Sequence, residues 1–130
     1  MKKDFQKWHE KKKDIHENRP RVFFHEREIW FCYLGTNVGF EQDGSGDDFL
    51  RPVLILKKFN SEVLWALPLT KKGKKNHKYY FEFSSNFGEK SSVILSQIRL
   101  IDAKQLKYKI GDMSEKDFGL LKAKIRQLIA

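Results

Sequence analysis

Between residues 29 and 98 the apolar residues fall into five runs too short for helices, each bounded by turn-forming residues. The first, Ile29-Trp30-Phe31-Cys32-Tyr33-Leu34, is aromatic and uninterrupted, the pattern of a strand buried on both faces. Residues 52–56 and 63–67 form two more runs, joined through Asn60-Ser61, and residues 79–83 and 93–98 complete the series. Short strands at close spacing, with turn signals between them, predict a small β-barrel. A chain of 130 residues with 40% apolar content has room for one such core. Its 26 basic and 17 acidic residues leave a formal charge of +9, which favours a polyanion or an acidic protein as partner.

Helical patterns flank these runs. Residues 2–17 predict a short helix with Asp4 as cap and with Phe5, Trp8 and Ile15 on one face, Lys12 at its edge; Asn18 and Pro20 stop it. This segment is expected to be an appended arm packed by its aromatics, dividing the chain into an arm (residues 1–25) and a barrel domain (residues 26–130). Lys11-Lys12-Lys13 sit among Asp4, Glu10, Asp14 and Glu17, so the arm reads first as a solvated helix and second as a nucleic-acid arm. At the other end Ser114 is the expected cap, with Asp117 at N3 and Met113 stapled to Phe118. Phe118, Leu121, Ile125, Leu128 and Ile129 then make a stripe expected to pack on the chain's own sheet, with Lys122, Lys124 and Arg126 mostly outside it.

Several familiar signals fail. His9 and His16 lie two helical turns apart, too far for an i,i+4 chelate, and His25-Glu26 lacks a second histidine. Asp43-Gly44-Ser45-Gly46-Asp47 begins like a calcium loop, but Asp48 stands where glycine is needed and Leu54 where the bidentate acid belongs. Gly35, Gly39, Gly44 and Gly46 precede no Gly-Lys-Ser/Thr, so no phosphate-binding loop is formed. Cys32, the single cysteine, excludes an internal disulfide framework, fits a reducing compartment and is expected to be a buried thiol. No apolar run approaches the ~20 residues of a membrane span. Met1-Lys2-Lys3-Asp4 leads into no apolar stretch of the kind a secretory signal has. The expectation is a cytoplasmic protein without metal or cofactor.

The remaining constellation is polar. Arg51 stands at the start of a strand, after an acidic glycine-bearing loop and before Pro52; it reads equally as structural, paired with Glu41, Asp47 or Asp48, and as functional. Thr70 ends another strand and opens a loop from Lys71 to Lys78 that holds five lysines and no acid. Tyr79-Tyr80-Phe81 follow, and basic charge beside aromatics suits single-stranded nucleic acid. Gln97 and Arg99 stand at the end of the fifth predicted strand.

Taken in order, Gly39-Phe40-Glu41-Gln42, Arg51-Pro52-Val53-Leu54-Ile55-Leu56 and Pro68-Leu69-Thr70 resemble successive motifs of the MazF/PemK toxin family. Gln97-Ile98-Arg99-Leu100-Ile101-Asp102, Lys109-Ile110-Gly111 and Met113-Ser114 with the final helix continue the resemblance, which spans residues 28–130. It implies an SH3-like or CcdB-like small barrel, mainly β with α, bearing a C-terminal helix and here an appended N-terminal one. It also implies the toxin of a type II toxin–antitoxin system: a homodimer and metal-independent endoribonuclease that cuts single-stranded RNA, with mRNA the expected form. An acidic antitoxin would mask the basic groove.

The resemblance assigns residues as well. Arg51 matches the arginine that stabilises the phosphorane, and Thr70 the threonine that hydrogen-bonds the scissile phosphate. Glu41 and Gln42 match a loop that gates or binds RNA, Gln97 lines the groove, and Arg99 and Lys71 would contact phosphates. Ser96 departs from the pattern, because many relatives carry aspartate there as the general base. Glu41 is the candidate replacement, while Asp43, Asp47 and Asp48 would hold Arg51 or cover the site. The competing reading is a non-catalytic protein of the same fold, either a gyrase poison or an RNA-binding barrel.

Overall fold

The computed structural model describes residues 4–34, 50–71, 77–84 and 90–130. In chain order its elements are α1 (Phe5–Asn18), β1 (Glu28–Tyr33), β2 (Leu50–Lys58), β3 (Val63–Thr70), β4 (Tyr80–Ser84), β5 (Lys90–Ile94), β6 (Arg99–Asp102), a 3-10 turn (Ala103–Gln105), β7 (Leu106–Asp112) and α2 (Glu115–Ile129). The seven strands pair antiparallel in the order β4-β5-β3-β2-β1-β7, with β6 added to β3.

β3 explains the shape. One edge lies along β2, while the other is shared: Val63 to Ala66 pair with β6, and Leu69 and Thr70 with β5. A strand that changes partner along its length turns a corner in the sheet. Register shifts in β1 and between Ile55 and Lys57 of β2 add local twist. The result is the mainly β, barrel-like fold with two helices that the sequence predicts.

The uninterrupted apolar runs are explained by burial on both faces. Leu54 and Leu56 of β2 and Leu67 and Leu69 of β3 pack with Phe118, Leu121 and Ile125 of α2 in one cluster. Their alternates, Val53 and Ile55, Leu64 and Ala66, point into a second cluster with Phe24, Trp30, Cys32 and Leu106. The Ser114 side chain accepts from the Asp117 backbone N–H at 3.1 Å, and Met113 and Phe118 share the first cluster, as a capped and stapled helix requires. Leu128 is half-buried, but Ile129, the last helical residue, is 79% exposed and drops out of the packed stripe.

Elsewhere the structure corrects the sequence reading. The predicted strand at 93–98 ends at Ile94; a turn follows, closed by the Gln97 N–H to the Ile94 carbonyl, and Arg99 opens the separate strand β6. The apolar run hid the break because Leu95 and Ile98 are as hydrophobic as strand residues. β7 was not anticipated: its outward Tyr108 and alternating lysines lack an apolar run. On α1, Asp4 caps as expected, accepting from Lys7 N–H at 2.9 Å, but Phe5 is exposed. Trp8 and Ile15 alone of the predicted face are buried, against Tyr33 in a third, separate cluster. No described helix is long and apolar enough to cross a membrane.

The link from α1 to β1 is anchored by Arg19, which donates to the carbonyls of Lys104 and Leu106, and by Arg21, which forms a two-pronged pair with Asp102 at 2.8 and 3.0 Å. Phe24 is fully buried in the second cluster. Because the third cluster is separate, a chain starting at Arg19 is expected to keep a cooperative thermal unfolding transition at a lower midpoint. Phe24→Ala is expected to cost about 3–5 kcal/mol by denaturant titration.

Among the described residues, Glu28 is the buried charged side chain. Burial alone would raise its pKa, but the His25 N–H, Trp30 Nε1–H and the Lys109 ammonium outweigh this and hold it below its ordinary 4.5. With the folded-state pKa depressed, the stabilisation is present above about pH 4.5 and is lost as pH falls through the folded value. Glu28→Gln should therefore lower the melting temperature near neutrality, and the gap from wild type should narrow toward pH 3 in a series of melts.

Candidate active site

Arg51 is the second residue of β2, directly across from Cys32 on β1. On its other side the pairs Val53↔Pro68 and Leu54↔Leu67 set the register with β3, which continued by two residues brings Arg51 against Thr70. The Arg51 Nε–H donates to the Leu69 carbonyl at 3.1 Å, so the guanidinium lies across the end of β3. Strand alternation puts Arg51 and Val53 on one face, and Thr70 shares that face with Pro68 and Ala66. Thr70 also pairs with the buried Ser92 of β5.

Arg99 joins this group from β6, where it lies opposite Ala66. Its charge is felt at Cys32: burial pushes the thiol up to about 12, and the Arg99 cation partly opposes that rise. Arg51, Thr70 and Arg99, separated by 48 residues of chain, thus converge on one face around Cys32. All three are half-buried, with Lys71 exposed immediately beyond Thr70. Two guanidinium groups and a hydroxyl at one sheet end can bind a phosphate and stabilise added negative charge on it.

Other predicted positions lie apart from this group or outside the described residues. Gln97 is carried, half-buried, on the turn before β6. Ser96 lines a cleft of about 410 Å³ together with Tyr79, Ile98, Ile125 and Leu128. Glu41 and Gln42 lie outside the described residues, as do Gly39, Phe40, Asp43, Asp47 and Asp48 and most of the lysine loop. The base of that loop is described. Lys78 sits 4.9 Å from the centre of the Tyr79 ring, and Lys124 of α2 donates to the carbonyls of His77 and Tyr80. Basic and aromatic side chains do meet here.

Two features escaped the sequence reading. Ser92, opposite Thr70, precedes the apolar run that begins at Val93; the signal for it is the Lys-Ser-Ser lead-in, which is weak. The second is a set of cations around Tyr33: Lys11 Nζ at 5.1 Å, the Arg19 guanidinium carbon at 5.0 Å and Lys107 Nζ at 5.8 Å from the ring centre. These residues come from α1, the following link and β7, so no local motif could signal them.

Residues 25–129 match the family described as PemK-like, MazF-like toxin of type II toxin-antitoxin system, and the chain belongs to that family. No curated protein sequence matches it. Among solved structures it is similar to Mycobacterium tuberculosis toxin MazF-mt6, with a TM-score of 0.61 and 18% identity over 79% of this chain and 96% of that one. It is similar also to a MazE-MazF structure from Deinococcus radiodurans, with a TM-score of 0.62 and 16% identity over 83% and 97% of the two chains. MazF alone from Deinococcus radiodurans aligns at a TM-score of 0.60 and 14% identity, over 87% and 98%. At these identities the structural likeness concerns the fold.

Cys32 is enclosed and its thiolate disfavoured, so it should resist alkylation at pH 8 in the native protein and react at the unfolding rate in denaturant. Labelling of the native protein on a scale of minutes would show that this strand is not closed.

Proposed function

We propose that this protein is a metal-independent, sequence-selective endoribonuclease that cleaves single-stranded RNA, and that it is restrained in the cytoplasm by a cognate acidic antitoxin. The observation that carries this reading is the meeting of Arg51 with Thr70 and Arg99 on one sheet face. A family toxin that acted as a gyrase poison would have no chemical need for a guanidinium and a hydroxyl placed on one sheet face.

The reaction follows from the groups. The ribose 2′-oxygen attacks the adjacent phosphorus, the 2′-proton leaves to a base, and the bond from phosphorus to the 5′-oxygen breaks as that oxygen gains a proton. Negative charge grows on the non-bridging oxygens, where the Arg51 cation and the Thr70 hydroxyl donate. Arginine stays protonated near neutrality, so electrostatic stabilisation is the role that its chemistry suits. Ser96 is a poor base, and Glu41 is the proposed acceptor of the 2′-proton. Gln42, Gln97, Lys71 and Arg99 are assigned to holding the strand. MazE-MazF structures of a fold relative support an antitoxin partner, and a net charge of +9 suits an acidic one. A homodimer is part of the same proposal.

The test is incubation with mixed-sequence single-stranded RNA, and with its DNA counterpart, in excess EDTA. RNA-only cleavage leaving 2′,3′-cyclic phosphate ends is expected, and Arg51→Ala should reduce the rate by about 10³-fold while leaving the melt unchanged. Intact RNA with both proteins would shift the reading to a non-catalytic binder.

A further inference from the structure

We infer that Glu82 of β4 is a specificity residue: its carboxylate accepts hydrogen bonds from the Watson–Crick edge of a guanine that flanks the scissile phosphate of the bound RNA. This inference rests on the ribonuclease reading above. It starts from strand register. Thr70 of β3 lies opposite Ser92 of β5, and Ser92 lies opposite Glu82 of β4. Directly paired residues of antiparallel strands put their side chains on one face. Thr70, Ser92 and Glu82 therefore stand in a row on the face that also carries Arg51. The neighbouring row, Leu69, Val93 and Phe81, packs in the α2 cluster, which fixes the opposite face independently.

Distance limits what the carboxylate can meet. Thr70 and Glu82 are two strand spacings apart, roughly 10 Å. Arg51 lies one strand further on, about 14 Å from Glu82 and beyond the ~8 Å screening length, so the acid does not cancel the guanidinium. A phosphate held by Arg51 and Thr70 thus leaves Glu82 facing the adjoining nucleotide rather than the reacting oxygens. A carboxylate repels phosphate and attracts a donor, and at that distance the donors are those of the base. One of the four bases fits. Guanine presents N1–H and N2–H side by side, a fork that matches the two oxygens of a carboxylate. Adenine and cytosine set an amino donor beside a ring-nitrogen acceptor, and uracil sets its N3–H between two carbonyls. Each of these would turn a lone pair toward the carboxylate.

Glu82 is accessible enough for this role. Its side chain is 30% exposed, and among the described residues its charged neighbour is Lys90, at 4.0 Å, beyond hydrogen-bond length. The Lys90 side chain is 72% exposed, so the pair is weak, and an ionised carboxylate accepts several hydrogen bonds at once. Guanine binding requires no contact of Glu82 to be broken.

The test is mapping of cut sites on a mixed-sequence single-stranded RNA, then cleavage rates on short RNAs carrying guanine, inosine or adenine at the enriched position. Wild type is expected to favour guanine at one position beside the cut. Inosine keeps N1–H but lacks the N2 amino group, so it should be cut about 10-fold more slowly than guanine. Glu82→Gln should lower the guanine-to-adenine rate ratio by about 10- to 100-fold, with a melt like that of wild type. No guanine preference in wild type overturns this inference alone. So does a folded Glu82→Gln that slows every site equally or none, which would leave Glu82 as a charge protecting the β4 edge. The inosine comparison uses wild type and decides the matter even if the variant fails to fold: equal rates on guanine and inosine overturn the inference. RNA left intact by wild type overturns it together with the ribonuclease reading.

Discussion

The division of β3 between two partners is the constraint on which the rest of the structure depends. Val63 to Ala66 lie against β6, and Leu69 and Thr70 against β5, so the sheet must turn where β3 changes neighbour. That turn lets apolar residues on opposite faces of the same strands be buried at once, one set under α2 and the other around Cys32. The same turn carries Arg99 back across from Ala66, on the face shared by Arg51 and Thr70. The fold and the placement of these three side chains are consequences of one pairing pattern.

The closing elements are held by backbone contacts more than by charge. Arg27 adopts a left-handed backbone conformation, with φ of 74°, an arrangement that costs a non-glycine residue about 1–3 kcal/mol. It is offset by three hydrogen bonds: the Arg27 N–H to the Ile55 carbonyl, the Met113 N–H to the Arg27 carbonyl, and the Arg27 guanidinium to the Met113 carbonyl. Hydrogen bonds of this kind contribute about 0.5–1.5 kcal/mol each. The start of α2 is thereby fixed to the start of β1. Surface pairs such as that of Arg27 with Glu115, at 3.8 Å with Glu115 largely exposed, add little.

A basic protein of this size could carry its charge as a diffuse solvated shell. Here part of it is gathered. Lys124 fixes the base of the lysine-rich loop to α2 next to Tyr79, and three cations from separate segments surround Tyr33 beside the Arg51 strand. Backbone groups place several of these cations: Arg19 is held by the carbonyls of Lys104 and Leu106 and Lys124 by those of His77 and Tyr80, while Lys107 stands at an irregularity in the pairing of β1 with β7.

Local chemistry was enough to read much of this protein. Asp4 and Ser114 mark helix starts because their side chains satisfy a backbone N–H three residues on, and uninterrupted apolar runs mark strands that need both faces covered. Ordered motifs that resemble a known toxin family point to Arg51, Thr70 and Arg99 as candidates, and strand register puts the three on one face. Chain order could not reveal that Ser92 opposes Thr70, that the run at 93–98 breaks at Ile94, or that Lys11, Arg19 and Lys107 share one ring. Those features depend on strand register and on contacts between residues as far apart as Lys11 and Lys107. Such contacts are set by the packing of whole elements, because local propensity acts only over a few residues.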